Sequence, residues 1–199
     1  MALYIICSWL TILIAAVVPL SVSVEQQVKS TPHKRTGPWK FMTTGIIYLN
    51  MTTLNISGTK CKVAMRTQLN ATARTFSQKI GINYAETWRH ERVDYTQMRK
   101  NNKLVKGFTS LDKKTYEYTV YTFPYVLDEC AVIKKQTNKT KRGYSNTCEL
   151  WVNQKFLQMN PEKVKLCTRN FNNHCKRYNA TPYDIEDCQE SVGKLILIA

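Results

Sequence analysis

The stretch Cys148-Glu149-Leu150-Trp151-Val152 places a carboxylate and an indole two residues apart. Successive side chains of a strand point to opposite faces. Glu149 and Trp151 then share one face, and Cys148, Leu150 and Val152 share the other. A carboxylate beside an indole is equipped to hold a cation, with charge from the acid and cation–π attraction from the ring. A buried ionised Glu without a partner is costly. Inside a fold, Glu149 pairs with an interior cation, reaches water, becomes neutral or meets a ligand donor. The structural alternative is a wet Glu149 at a rim, with Trp151 as ordinary core.

Other chemistry is sparse. His33, His90 and His174 lie far apart, and "HERVD" at His90 lacks the second histidine of a zinc-protease motif. There is no G-x-S-x-G, no P-loop and no dinucleotide-binding fingerprint. No C-x-x-C is present, which argues against a zinc ribbon or a thioredoxin-type centre. The expectation is a protein that is not an enzyme and has neither metal nor cofactor.

The chain has 199 residues and seven cysteines. Residues 1–23 carry no charged side chain, and an apolar run extends from Ala2 to Val18. Pro19 ends the run, and Ser21 and Ser23 give the small-residue spacing of a cut after Ser23. This reads as a secretory signal peptide, with an uncleaved anchor as the alternative. Cys7 leaves with it. The remaining Cys61, Cys130, Cys148, Cys167, Cys175 and Cys188 are an even set, which in an exported chain implies disulfides whose pairing is open. Sequons at Asn50, Asn55, Asn70, Asn138 and Asn179 agree with secretion. The expected location is extracellular, with no membrane partner once the signal is removed.

The net charge of +15 bears on partners rather than on fold. Its densest block is Lys134 to Gly143, and the arginine of that block is Arg142. It reads as a solvated hairpin tip, or as a surface for an anionic glycan or a host protein. Nucleic acid is not expected, because no DNA- or RNA-binding motif accompanies the charge.

The elements that must position these residues are mostly strands. After a loose polar arm, 24–36, short β-branched and aromatic runs recur between Asn-, Gly- and Lys-rich breaks. They are "GIIYLNMTTL", "KCKVAMRTQL", "TFSQKIGINYAETW", "RVDYTQM", "KLVKGFTSL", "TYEYTVYTFPYVL", "CAVIKK" and "CELWVNQ". About eight such strands suggest a sandwich or a barrel. One segment differs. Asn160 caps, Pro161 opens and Glu162 enters the first turn of a helix whose face carries Val164, Cys167, Phe171 and Cys175. If Cys130 and Cys148 pair with this helix, both point out of the sheet. Leu150 and Val152 then face the helix, while Ala131, Ile133, Glu149 and Trp151 face a barrel lumen.

The order Cys130-Ala-Val-Ile, then Glu149-Leu150-Trp151, then Cys167, with a late Cys188, resembles the tick salivary lipocalins of the histamine-binding protein family. Gly37-Pro38-Trp39 is similar to the general lipocalin entry motif. The resemblance covers roughly Gly45 to Glu190 in outline, and Cys130 to Cys188 most specifically. It implies an all-β fold: an eight-stranded antiparallel barrel with one helix packed outside near the C-terminus, over 37–199. It implies the bridges Cys61–Cys188, Cys130–Cys167 and Cys148–Cys175. It also implies a function, the sequestration of a small host mediator such as histamine or serotonin. Ala131 stands where that family's pattern has an acid, which leaves Glu149 as the counter-ion.

Two further functions compete. An amphipathic lipid mediator, such as a leukotriene or another fatty acid, suits the basic excess, with Lys62 or Arg66 meeting its carboxylate. A barrel serving only as scaffold would bind through its basic face, and a filled lumen would favour it. The expected ligand-lining residues are Glu149, Trp151, Ile133, Leu49 and Met51. The last two follow from an outward, glycosylated Asn50. The apolar tail 193–199 reads as an edge-covering strand or a contact site.

Overall fold

The computed structural model describes residues 36–54, 57–85, 87–139, 143–175, 179–186, 188, 189 and 192. The segment expected to be a signal peptide, the arm to residue 35, Asn55, residues 140–142 of the basic block and the tail 193–199 lie outside the described residues.

The chain opens with a short helix, α1 (Pro38–Met42), with proline at its first position and buried Phe41 and Met42. Eight long strands follow: β1 (Ile46–Thr52), β2 (Thr59–Asn70), β3 (Thr75–Tyr84), β4 (Thr87–Lys100), β5 (Lys103–Leu111), β6 (Tyr118–Val126), β7 (Cys130–Lys139) and β8 (Gly143–Asn153). Each strand from β2 to β8 pairs antiparallel with the next, and β1 pairs with both β8 and β2. The sheet therefore closes into an eight-stranded barrel. After a 3-10 turn come helix α2 (Pro161–His174) and a two-residue strand, β9 (Thr181–Pro182), which adds to β1 at Met51 and Thr52.

Strand alternation gives the wall two buried faces. The inner cluster includes Ile47, Leu49, Ala64, Phe76, Ile80, Phe108, Phe123, Ala131, Ile133 and Trp151. The outer cluster, under α2 and the C-terminal segment, includes Tyr48, Val63, Val132, Leu150, Val152, Phe171 and Ile185. Helix α2 forms as its sequence dictates. The Asn160 side chain accepts the Lys163 N–H at 3.0 Å, and Cys167 and Phe171 are its buried residues. Disulfides Cys130–Cys167 and Cys148–Cys175 bind it to β7 and β8, and Cys61–Cys188 binds the C-terminal segment to β2.

Three expectations are corrected here. "TFSQKIGINYAETW" is not one strand but the whole of β3, a turn residue at Ala85 and the start of β4; Ala85 takes φ 46°. Met51 does not face the lumen. A register shift between Leu49 and Met51 puts an extra residue into β1, so Leu49 packs inside while Met51 packs with the outer cluster. Asn50 lies at this bulge, half-buried, with its carbonyl accepting the Tyr183 N–H at 2.8 Å. Asn70, Asn138 and Asn179 are exposed. The basic block is not purely a hairpin tip, because Lys134 to Lys139 belong to β7 and Lys135 points inward.

The bridges should differ in their effect. Cys61–Cys188 spans 127 residues and Cys148–Cys175 spans 27. Loop-closure entropy then gives about 4.9 and about 3.6 kcal/mol respectively. Paired Cys→Ala variants should unfold at lower urea concentration in that order. Equal midpoints for the two would count against this account.

Candidate functional site

The lumen is divided by chemistry. Towards α1 it is filled by aromatic rings. Trp39 meets Phe76 edge-on at 5.8 Å, Phe76 meets Phe108 at 5.2 Å, and Phe108 meets Phe123 at 5.5 Å. Phe76 also stacks on Tyr95 at 4.7 Å, and Tyr95 meets Tyr121 at 5.2 Å. Against this floor lies a cavity of about 40 Å3, lined by Lys62, Gln78, Tyr95, Tyr121, Lys135 and Trp151 among others. That is room for roughly three waters, far below the roughly 300 Å3 at which ordinary ligand pockets begin.

Glu149 is 3% exposed and bound within the wall. Its Oε2 accepts the Trp151 indole N–H at 2.5 Å and pairs with the Lys135 ammonium at 2.5 Å. The first contact follows from the i, i+2 spacing on β8. The second joins β7 to β8, where Ile133 stands opposite Glu149 and Lys135 opposite Thr147. Of the options open to a buried carboxylate, this chain adopts pairing with an interior cation. Burial pushes the Glu149 carboxyl up; Lys135, Lys62 and the two hydrogen bonds outweigh it, so its pKa lies below the ordinary 4.5.

Lys62 enters the same lumen from β2 and lines the cavity. Lys62 Nζ and Lys135 Nζ lie 6.0 and 5.5 Å from the centroid of the Trp151 ring, so the protein's own cations occupy the indole wall. Among the described residues no carboxylate oxygen lies within 4.0 Å of Lys62 Nζ, whereas Lys135 has Glu149. Burial, then the Lys135 charge, push the Lys62 ammonium below its ordinary 10.5, against the opposing pull of Glu149 and Glu91. Burial above all raises the Tyr95 and Tyr121 hydroxyls, which therefore stay protonated at neutral pH. Tyr121 Oη shares a hydrogen bond with Ser110 Oγ at 3.0 Å. Gln78 donates to the Met42 carbonyl at 2.9 Å, while its Oε1 is buried without a partner.

The structure thus brings together Glu149, Trp151 and Ile133, with Leu49 opposite Trp151 on β1. Arg66 does not join them; its guanidinium donates to the Thr43 carbonyl at 2.7 Å. Sequence reasoning missed Lys135, Gln78, Tyr95 and Tyr121. Parity from Cys130 could have found Lys135, five residues along β7. Among the described residues no group of three His, Cys, Asp or Glu could hold a metal ion, and no helix is long and apolar enough to cross a membrane.

With this geometry in hand, the class is plain: a closed eight-stranded barrel with one helix packed outside is the lipocalin fold. No protein-family model matches the chain, and no curated protein matches it in sequence. Solved structures do. A protein designated AM182, in complex with serotonin, is 15% identical with a TM-score of 0.52, over 76% of this chain and 94% of its own. A deswapped triple mutant of bovine odorant-binding protein is 12% identical with a TM-score of 0.50, over 72% and 95%. Lobster apocrustacyanin A1 is 10% identical with a TM-score of 0.51, over 71% and 77%. At such identities the likeness is one of fold.

Two substitutions test the ionic layer. Lys135→Met strips a buried carboxylate of its nearest cation and should cost about 3 kcal/mol in urea unfolding at pH 7. The cost should shrink as the pH falls below 4.5, because a carboxyl with a lowered folded pKa loses its contribution as it protonates. Lys62→Met should act oppositely. A base whose folded pKa is lowered costs stability while the unfolded chain binds the proton better. Removing it should stabilise the protein at pH 7, and the gain should fade as the pH approaches 10.5. A destabilised Lys62→Met at pH 7 would contradict this assignment.

Proposed function

We propose that this chain is a secreted, lipocalin-type binding protein that sequesters a small acidic amphipath, a lipid mediator, through the ionic layer of its lumen. The observation that carries the reading is the charge around Trp151: two lysine ammoniums, Lys62 and Lys135, against one buried carboxylate, Glu149, with the cavity's other carboxylate, Glu91, on an exposed residue. An anionic head group is the partner that such an excess lacks. The tyrosine hydroxyls offer donors, and Gln78 Oε1 offers an acceptor for a hydroxyl on the ligand. The three disulfides suit an extracellular setting. The resemblance to tick salivary lipocalins makes the mediator one of a host's defence.

Capture of an amine, which that resemblance implies and of which the serotonin complex of AM182 is an instance for that protein, is weighed against by the same count. An incoming ammonium would meet two cations, and Glu149 already holds Lys135. The scaffold reading has one observation in its favour, the filled aromatic floor, which leaves about 40 Å3. An acid bound here places its head group at Lys62 and its body towards the end of the barrel opposite α1, or displaces rings.

Titration calorimetry separates these readings. A medium-chain fatty acid should bind, and Lys62→Met should weaken it at least about tenfold, or about 1.4 kcal/mol. Histamine and serotonin should give no heat. If the acid fails with natively folded protein while heparin retains it through Lys134, the scaffold reading replaces this one.

A further inference from the structure

Lys62 is an amine inside a barrel, beside a second cation that already holds the one buried carboxylate of the described residues. An alkylammonium does not add to carbonyl groups, but its free base does. Desolvation and an adjacent cation are the two surroundings that make a lysine nucleophilic at neutral pH, and Lys62 has both. It lines a cavity with room for roughly three waters, enough for a small molecule of a few heavy atoms. The same cavity is lined by Gln78, which is 1% exposed and whose Oε1 has no hydrogen-bond donor.

We propose that Lys62 is a covalent carbonyl-capture site that takes a small hydroxyaldehyde as an imine within the lumen. The free Nζ adds to the aldehyde carbon, giving a carbinolamine. One nitrogen-bound hydrogen becomes the carbinolamine O–H; the neighbouring acid then supplies the second hydrogen of the departing water and recovers the remaining nitrogen-bound hydrogen, so that the imine and one water are the net products. No oxidation or reduction is involved. The cavity lining holds several proton donors, the Tyr95 and Tyr121 hydroxyls among them, and the Lys135 ammonium, held on Glu149, is the one assigned here to protonate the departing hydroxyl. The ligand's own hydroxyl is the donor for Gln78 Oε1. Cavity size restricts the class to aldehydes of two or three carbons. The lowered pKa of Lys62 agrees with this by enlarging the free-base fraction. This inference shares the lumen with the proposed function but does not need the sequestered ligand to be an acid.

The test is reductive trapping. The full, oxidised chain is exposed briefly at pH 7 to glycolaldehyde with cyanoborohydride, and modified lysines are mapped by peptide mass spectrometry. Lys62 should be modified faster than exposed Lys106 and Lys134, because burial and the Lys135 charge leave a larger share of it as free base. Its rate should level off at a lower pH than that of the exposed lysines. A nine-carbon aldehyde should lose the preference for Lys62. In Lys135→Met, Glu149 is left to hold the Lys62 proton, and the rate at Lys62 should fall towards that of the surface. Should that variant not fold, the pH profile of the unaltered protein decides. Labelling of Lys62 no faster than of Lys106 and Lys134, or an unchanged rate in folded Lys135→Met, overturns the proposal. A bound fatty acid should protect Lys62. Labelling without binding of the acid removes the proposed function alone, and binding without labelling removes this inference alone.

Discussion

A carboxylate cannot be taken from water into a barrel unless a counter-charge goes with it. Glu149 is such a carboxylate, and the interior is arranged around satisfying it. Lys135 comes from the neighbouring strand, the Trp151 N–H from two residues along its own, and Lys62 from across the lumen. The result is over-compensated. Two cations and one buried anion surround one indole, the carboxylate at its N–H edge, and the second carboxylate of the cavity lining, Glu91, is exposed, so the buried part of the layer keeps a positive excess that burial makes costly. That excess has three outlets: an anion drawn in, a proton shed from Lys62, or stability forgone. The two functional readings proposed here are the first two outlets, and the stabilisation expected on removing Lys62 is the third.

The same residues face the lumen because their neighbours are tied outside it. Cys130 and Cys148 bond to α2, and alternation does the rest. Val132, Leu150 and Val152 are forced under the helix, while Ala131, Ile133, Lys135, Glu149 and Trp151 are forced inward. The disulfides therefore do more than limit the unfolded chain. They fix the parity of two adjacent strands, so a one-residue slip, which would turn the ionic layer towards α2, is excluded by covalent bonds.

Much of this was legible in the sequence, and the failures have physical causes. Strand count and the helix over Pro161 to His174 follow from local periodicity, which strands and helices write directly into residue types, and the inward face of β8 follows once Cys130 and Cys148 are paired with that helix. Three things did not. The β1 bulge adds a residue without a glycine or proline to mark it, and so Met51 was placed on the wrong face. The β3–β4 turn uses Ala85 in a left-handed conformation, whereas the β4–β5 turn announces itself with Asn101 and Asn102 at positive φ. The lumen's cations come from strands far apart in the chain. Lys135 was hidden in a basic run that reads as solvated surface, and it is parity along β7 from the outward Cys130 that separates it from Lys134.

Size and charge pull the ligand question in different directions. By volume, an interior floored with Phe41, Phe76, Phe108 and Phe123 has little space to offer, and a packed aromatic core gains its dispersion energy by staying closed. By charge, the layer beside that floor is incomplete. Packed aromatic rings resist a long apolar body more than they resist a small polar head, because the first must displace several rings and the second only needs the existing cavity. Charge therefore acts as the selector and volume as the limit. The molecule best matched to both is small where it meets Lys62 and apolar, if at all, only beyond it. Leu111, Tyr116, Tyr118 and Tyr144, on or beside the β5–β6 and β7–β8 connections, expose apolar surface at the end of the barrel opposite α1, where such a body would emerge.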